Sequence, residues 1–171
     1  PVNSGKTTTL YAALSEINTP QRNIMTIEDP PEYRIEGVNQ IQVNKKTGMT
    51  YAAGLRAMLR SDIDEIVLGE IRDAETAEMA VRAALTGHLL FSTLHTKDAV
   101  GAVFRLLDMG VPTYLLAAAL TGVVAQRLVR RLCPHCREPS EEALPAWARR
   151  AGTEGRLWRP VGCAACGGTG F

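Results

Sequence analysis

The run Pro1-Val2-Asn3-Ser4-Gly5-Lys6-Thr7 carries the end of the phosphate-binding pattern G-x-x-x-x-G-K-S/T, without its first glycine. The pattern does chemistry because successive backbone N–H groups curl around a phosphate chain. Gly5 permits close approach, Lys6 reaches the β/γ-phosphates, and the Thr7 hydroxyl binds Mg²⁺. Asn3, Ser4 and Thr8 complete the expected nucleotide-binding run. From Thr8 to Leu14 the sequence reads as a helix whose N-terminus adds its positive dipole end to the site. A loop of this kind follows a strand, so the sequence is expected to be a piece of a longer chain whose phosphate-loop strand is missing.

Three apolar runs end in groups that suit phosphoryl transfer. Asn23-Ile24-Met25-Thr26-Ile27 leads into Glu28 and Asp29, Ile66-Val67-Leu68-Gly69 into Glu70, and Leu89-Leu90-Phe91-Ser92-Thr93-Leu94 into His95. Ligands of open α/β sheets gather outside the carboxyl ends of the strands. These groups are therefore expected at the edge that carries the phosphate loop. Transfer to water needs a metal, an acid that orients or deprotonates the water, and a group facing the γ-phosphate. Glu70, closing an apolar strand, has the Walker B form. Each group also has a plainer use: turn chemistry at Glu28-Asp29-Pro30, a helix cap at Glu70, a hydrogen-bonded structural role at His95. Their joint occurrence behind a phosphate loop favours the functional use.

A second chemistry lies near the end. Cys133-Pro134-His135-Cys136 and Cys163-Ala164-Ala165-Cys166 are two C-x-x-C knuckles, and four thiolates so arranged suit tetrahedral Zn²⁺. Disulfides or four unpaired thiols are the alternatives. Gly162, Gly167 and Gly168 permit the tight backbone that knuckles require. His135 is expected to be a bystander, because four sulfurs already fill a tetrahedron. The zinc would be structural, stapling a loop-rich segment with little core of its own.

The elements that must position these groups alternate strand and helix, which predicts an α/β fold with a mainly parallel sheet. Residues 33–44 alternate around Gly37 and read as a hairpin. Helices are expected over 51–60, from the Asp73 cap to Leu85 with Gly87 as its stop, over 100–109 and over 114–130. Beyond residue 131 the regular periodicity fades, so the domains are expected to be a core over 1–131 and a tetracysteine subdomain over 132–171. The arm over 141–159 carries Trp147, Trp158 and several arginines, a partner surface or a solvated basic face packed by the two rings. Arg127, Arg130 and Arg131 form either a phosphate-binding cluster or the positive end of a helix.

Composition narrows the classes. The 171 residues are 46% hydrophobic, enough for a core, and only 5% aromatic. Nineteen Lys and Arg against 18 Asp and Glu leave a net charge of +1, without the asymmetry that nucleic acid or an anionic membrane favours. The most apolar stretch, 114–125, is too short for a hydrocarbon layer of about 30 Å.

Four motifs then match one family in order and spacing. They are the Walker A remnant running to Tyr11, the acidic box Thr26-Ile27-Glu28-Asp29-Pro30-Pro31-Glu32, the Walker B segment from Leu59 to Asp73, and the histidine box from Thr86-Gly87-His88 to His95-Thr96. The chain resembles the C-terminal ATPase domain of the GspE/PilB secretion ATPases, which drive type II secretion and type IV pilus assembly. The resemblance implies a RecA-like motor domain, working as a homo-hexamer with ATP between subunits. Lys6 and Thr7 would hold phosphates and Mg²⁺, and Glu70 would support Mg²⁺ and the hydrolytic water. Glu28, Asp29 and Glu32 would complete an acidic cluster joined by Arg72, and His95 would lie close to the γ-phosphate. Glu70 is favoured over Glu28 as general base. The implied partner is an inner-membrane platform protein, with the motor cytoplasmic and peripheral to the membrane. In this resemblance Cys133, Cys136, Cys163 and Cys166 favour the assembly and export ATPases, since PilT-type retraction ATPases generally lack them.

The chain departs from the family pattern in two loops. Asp62-Ile63-Asp64-Glu65 stands where Asp-Pro-Asp and an aliphatic residue are usual, and Pro30-Pro31 where one proline is common. Two other functions remain in view. A RecA-like nucleic-acid motor is opposed by the near-zero charge and by the lack of a basic, aromatic strand for stacking bases. A zinc-stabilised interaction module, without hydrolysis in this stretch alone, is the second.

Overall fold

The computed structural model describes residues 3–150 and 155–171, so Pro1 and Val2 of the phosphate loop and residues 151–154 of the arm lie outside the described residues. The chain divides into two compact units, Pro1–Arg127 and Leu128–Phe171. No helix among the described residues is long and apolar enough to cross a membrane.

In the first unit four short strands, β1 (Ile24–Glu28), β2 (Val38–Gln42), β3 (Glu65–Leu68) and β4 (Leu89–Ser92), form a parallel sheet in the order β2-β1-β3-β4. The helices are α1 (Lys6–Ile17), α2 (Tyr51–Met58), α3 (Ala74–Leu85), α4 (Ala99–Asp108) and α5 (Thr113–Ala119). Three of them start at side-chain caps, which satisfy N–H groups that the first turn cannot. Thr50 Oγ1 accepts from the Ala53 N–H at 3.1 Å, Asp73 Oδ1 from Thr76 at 2.8 Å, and Asp98 Oδ1 from Gly101 at 2.7 Å.

The pleat sorts side chains onto two faces. Ile24 of β1 and Val67 of β3 pack with Tyr11 and Leu14 of α1, while Ile27, Ile66 and Leu68 join Leu55, Met58, Ala77 and Ala80 from α2 and α3. At Gly54 the helix α2 sits so close to β1 that an added Cβ would lie 2.0 Å from Ile27 Cδ1. Gly54→Ala is therefore expected to destabilise the unit by roughly 1–3 kcal/mol through overpacking. That exceeds the gain of about 1 kcal/mol in helix propensity. Thermal unfolding would register the loss as a lower midpoint.

Two expected elements differ. Residues 33–44 form no hairpin: only Val38–Gln42 is a strand, and it runs parallel to β1. The Gln40 side chain explains this, for its Oε1 accepts the Ile35 N–H at 2.8 Å and its Nε2 donates to the Tyr33 carbonyl at 3.1 Å. A side-chain amide thus occupies the groups that a partner strand would use. The helix expected over 114–130 ends at Ala119, with Leu120 already extended. Thr121, Gly122 and the β-branched Val123 and Val124 are weak helix formers. Val124, Leu128 and Val129 are exposed, so no buried apolar stripe compensates.

Glu65 is fully buried at the start of β3, at the opposite end of the strand from Glu70, and pairs with Arg22. Asp64 accepts the Asn23 N–H at 2.8 Å. The charged residues at this departure from the family pattern thus serve the sheet.

The second unit is built from few regular elements: β5 (Glu138–Pro139) antiparallel to β6 (Trp158–Arg159), the short α6 (Ala146–Arg150), and the two knuckles. Arg137 lies 4.9 Å from the centre of the Trp158 ring and Arg130 lies 3.7 Å from that of Phe171; both rings are exposed, as is Trp147. The two tryptophans differ in that Trp158 carries a cation while Trp147 is the more exposed.

Candidate functional site

The start of α1 has the form of an anion site. Gly5 caps the helix at φ 78°, a left-handed conformation that suits glycine, and Asn3 is left-handed at φ 55°. Lys6, Thr7 and Thr8 occupy the first turn, where backbone N–H groups lack helical acceptors. No acidic residue stands in that turn to compete for them. Ser4 is buried, and its carbonyl accepts from Gln126 Nε2 at 2.7 Å, while Thr9 Oγ1 donates to Gln126 Oε1 at 2.7 Å. One amide side chain thus clamps the loop to its helix. Sequence reasoning missed Gln126, for nothing in Val-Val-Ala-Gln-Arg marks it.

The strand-end groups come together. Arg72 pairs with Glu70 and reaches Asp29 at 3.8 Å, and His95 Nε2 lies 3.4 Å from Glu70 Oε2. The Arg72 guanidinium holds the Glu70 carboxyl below its ordinary range, against the effect of partial burial, and the charges of His95 and Lys6 act in the same direction. Lys6 is thereby within electrostatic reach of Glu70. Tyr51 stands in the same field: burial, then the Glu70 charge, pushes its phenol up to about 12. At Gly69 a Cβ would lie 3.1 Å from the Ile27 carbonyl oxygen and 3.2 Å from Tyr51 Oη, so glycine lets the end of β3 pass.

Glu28 is placed differently from Glu70. Only 5% exposed, it accepts from Tyr11 Oη, from Thr26 Oγ1 at 2.6 Å and from Gln40 Nε2 at 3.4 Å. Glu32 is exposed and reaches this network through its backbone N–H, which donates to Tyr11 Oη at 3.2 Å. The peptide bond between Asp29 and Pro30 is cis. Arg127 donates to the carbonyls of Lys97 and Gln126, whereas Arg130 stacks on Phe171, so these two arginines serve separate partners.

The second unit supplies a four-sulfur group. Sγ atoms of Cys133, Cys136, Cys163 and Cys166 all lie within 4.8 Å of one another, with pairs at 4.0, 3.8 and 3.9 Å. A tetrahedral zinc with Zn–S of about 2.3 Å has S···S edges of about 3.8 Å, so the donor set fits the metal. The cysteines are free, as zinc binding requires. Backbone N–H groups of Cys163 and Gly170 donate to Cys166 Sγ at 3.2 Å, and that of Gly162 to Cys136 Sγ at 3.3 Å. Donors from Cys163 and Gly170 pull the Cys166 thiol down to about 6, while burial and the neighbouring sulfurs push Cys136 up to about 11. His135 does not belong to the group found among the described residues.

The family pattern described as "Type II/IV secretion system protein" matches residues 1–171. The chain belongs to this family. Type II secretion system protein E of Klebsiella pneumoniae is 58% identical over 173 residues, which are 100% of this chain and 35% of the relative. Type II secretion system ATPase E of Vibrio cholerae is 53% identical over 174 residues, again 100% of this chain and 35% of the relative. The chain thus spans about a third of the length of these curated relatives. Among solved structures, the pilus retraction motor PilT with bound ADP shares 42% identity at a TM-score of 0.64, over 70% of this chain and 38% of that one. PilT therefore shares with this chain both sequence and fold over that stretch.

Proposed function

We propose that the protein containing this sequence is the ATP-hydrolysing motor of a type II secretion system. It would couple hydrolysis to an inner-membrane platform protein from the cytoplasmic side. The observation that carries this reading is one cluster: Glu70 joined to Arg72 and His95, with Asp29 beside it and Lys6 in its field. Phosphoryl transfer is catalysed mainly by positioning and charge, which is what such a cluster supplies. Support also comes from the secretion relatives and from the ADP held by PilT.

In this reading Asn3, Ser4, Gly5, Lys6, Thr7 and Thr8 cradle the phosphates of ATP. Thr7 and Glu70 would hold Mg²⁺, which neutralises charge on the transferring group. Glu70 orients or deprotonates the attacking water, with Glu28 as the other acid at hand. Asp29, Glu32 and Arg72 shape the acidic edge, and His95 faces the γ-phosphate. The core over 1–131 would be RecA-like, its sheet completed by the phosphate-loop strand of the longer chain and its nucleotide shared between subunits of a homo-hexamer. Residues 132–171 would form a structural zinc subdomain, with Cys133, Cys136, Cys163 and Cys166 as ligands.

The test is steady-state phosphate release by the full-length protein and its Lys6→Ala variant. Removing one charged group from the transferring phosphate is expected to cost about 10²–10³-fold in turnover. Undiminished turnover would overturn the reading.

A further inference from the structure

The helix that starts at the phosphate loop also holds the acidic box, through one residue with no role so far. Tyr11 lies on α1, five residues after Lys6, and is 1% exposed. Its hydroxyl donates to Glu28 Oε2 and accepts the Glu32 N–H at 3.2 Å. Its ring meets Tyr33 edge-on, with centroids 4.6 Å apart and planes at 83°. The other Glu28 oxygen accepts from Thr26 Oγ1 at 2.6 Å. A carboxylate with both oxygens bound to buried donors has one orientation, and the Tyr11 bond ties that orientation to α1. Burial and the Glu28 carboxylate push the phenol up to about 12, so it stays a donor across the physiological range.

We propose that Tyr11 is a positioning residue for Glu28: its phenol fixes the Glu28 carboxylate and ties the turn over 29–32 to the helix that carries the phosphate loop. A shift of α1 would thereby reach the acidic box through the Tyr11 hydroxyl. The ring alone would fill the space; the hydroxyl is what couples the two motifs. The proposal rests on the ATPase reading above for its catalytic part.

The experiment is a double-mutant cycle in the full-length protein with Tyr11→Phe, Glu28→Gln and the pair, with kcat and KM for ATP measured separately. Tyr11→Phe is expected to lower kcat by roughly 10–100-fold, the range of one hydrogen bond to a charged group, with KM nearly unchanged. In the Glu28→Gln background the same change is expected to add almost nothing. Hydrogen exchange supplies a second readout: the Glu32 amide should exchange faster in Tyr11→Phe, with the amides of β3 unaffected. Equal losses in both backgrounds, or a rise in KM alone, would overturn the proposal. A Glu28→Gln protein that turns over like wild type overturns it too, and leaves the ATPase reading standing. If wild type does not hydrolyse ATP, that reading falls separately, and an unchanged Glu32 amide in Tyr11→Phe overturns the tie itself.

Discussion

Glu70→Gln in the full-length protein is expected to lower ATP turnover by about 10²–10⁴-fold, the range of a lost general acid–base group. The substitution keeps the shape of the side chain and removes its charge. Three cationic or polar groups now face that charge: Arg72 on one oxygen, His95 on the other at 3.4 Å, and Lys6 at longer range. Arg72 also reaches Asp29 at 3.8 Å, so it bridges the ends of β1 and β3. Loss of the Glu70 charge should therefore let Arg72 turn toward Asp29 and, in the proposed mechanism, weaken the hold on Mg²⁺. Because the Glu70 carboxyl is held below its ordinary value of 4.5, its pairing is complete above that pH and is lost only as the pH falls further. The neutral range thus leaves Glu70 ionised, and single-turnover phosphate release at pH 7 is the measurement that checks the effect. A wild-type rate would remove Glu70 from the chemistry.

Cys166→Ser is expected to abolish stoichiometric zinc and to unfold the segment over 128–171. Changes merely outside a metal's ligands cost about 10–100-fold in affinity, and loss of a ligand is expected to exceed that. Cys166 is the knuckle sulfur with two N–H donors, from Cys163 and Gly170. Its thiol sits at about 6, below the ordinary 9.0, so its contribution is complete above pH 9 and lost as the pH falls through about 6. Zinc bound there would add to folding, because the unfolded segment has no formed site. Elemental analysis of the purified variant, and zinc release to a coloured chelator across pH 5–8, give the readouts. Full zinc occupancy in the variant would exclude the four-sulfur site. A separate weakness lies at Gly162, where a Cβ would fall 2.4 Å from the Gly168 carbonyl oxygen.

Much of this was legible because the informative signals are local. Asp73 three residues before Thr76 marks a helix start, and the structure has that bond at 2.8 Å. Apolar runs ending in acids mark parallel strands, and Glu28 and Glu70 close or follow β1 and β3. C-x-x-C spacing marks a knuckle whatever surrounds it. The hairpin expected over 33–44 failed because Gln40 bonds backward to residues 33 and 35, a side-chain choice that alternation does not encode. The long helix failed because 120–130 gains no buried stripe, which depends on what packs there. Tyr11 stood inside a recognised motif, yet its partner Glu28 becomes visible only once the pleat puts 24, 26 and 28 on the α1 face.

The bond between Gln126 and Ser4 joins residues 122 positions apart in the chain. A ribosome makes Ser4 122 residues before Gln126, at about 5–20 residues per second. The phosphate loop therefore spends seconds of its synthesis without the amide that fixes its carbonyl to α1. The Ser4 carbonyl is thereby fixed only in a chain made nearly through its first unit, an ordering in time written into one long-range contact.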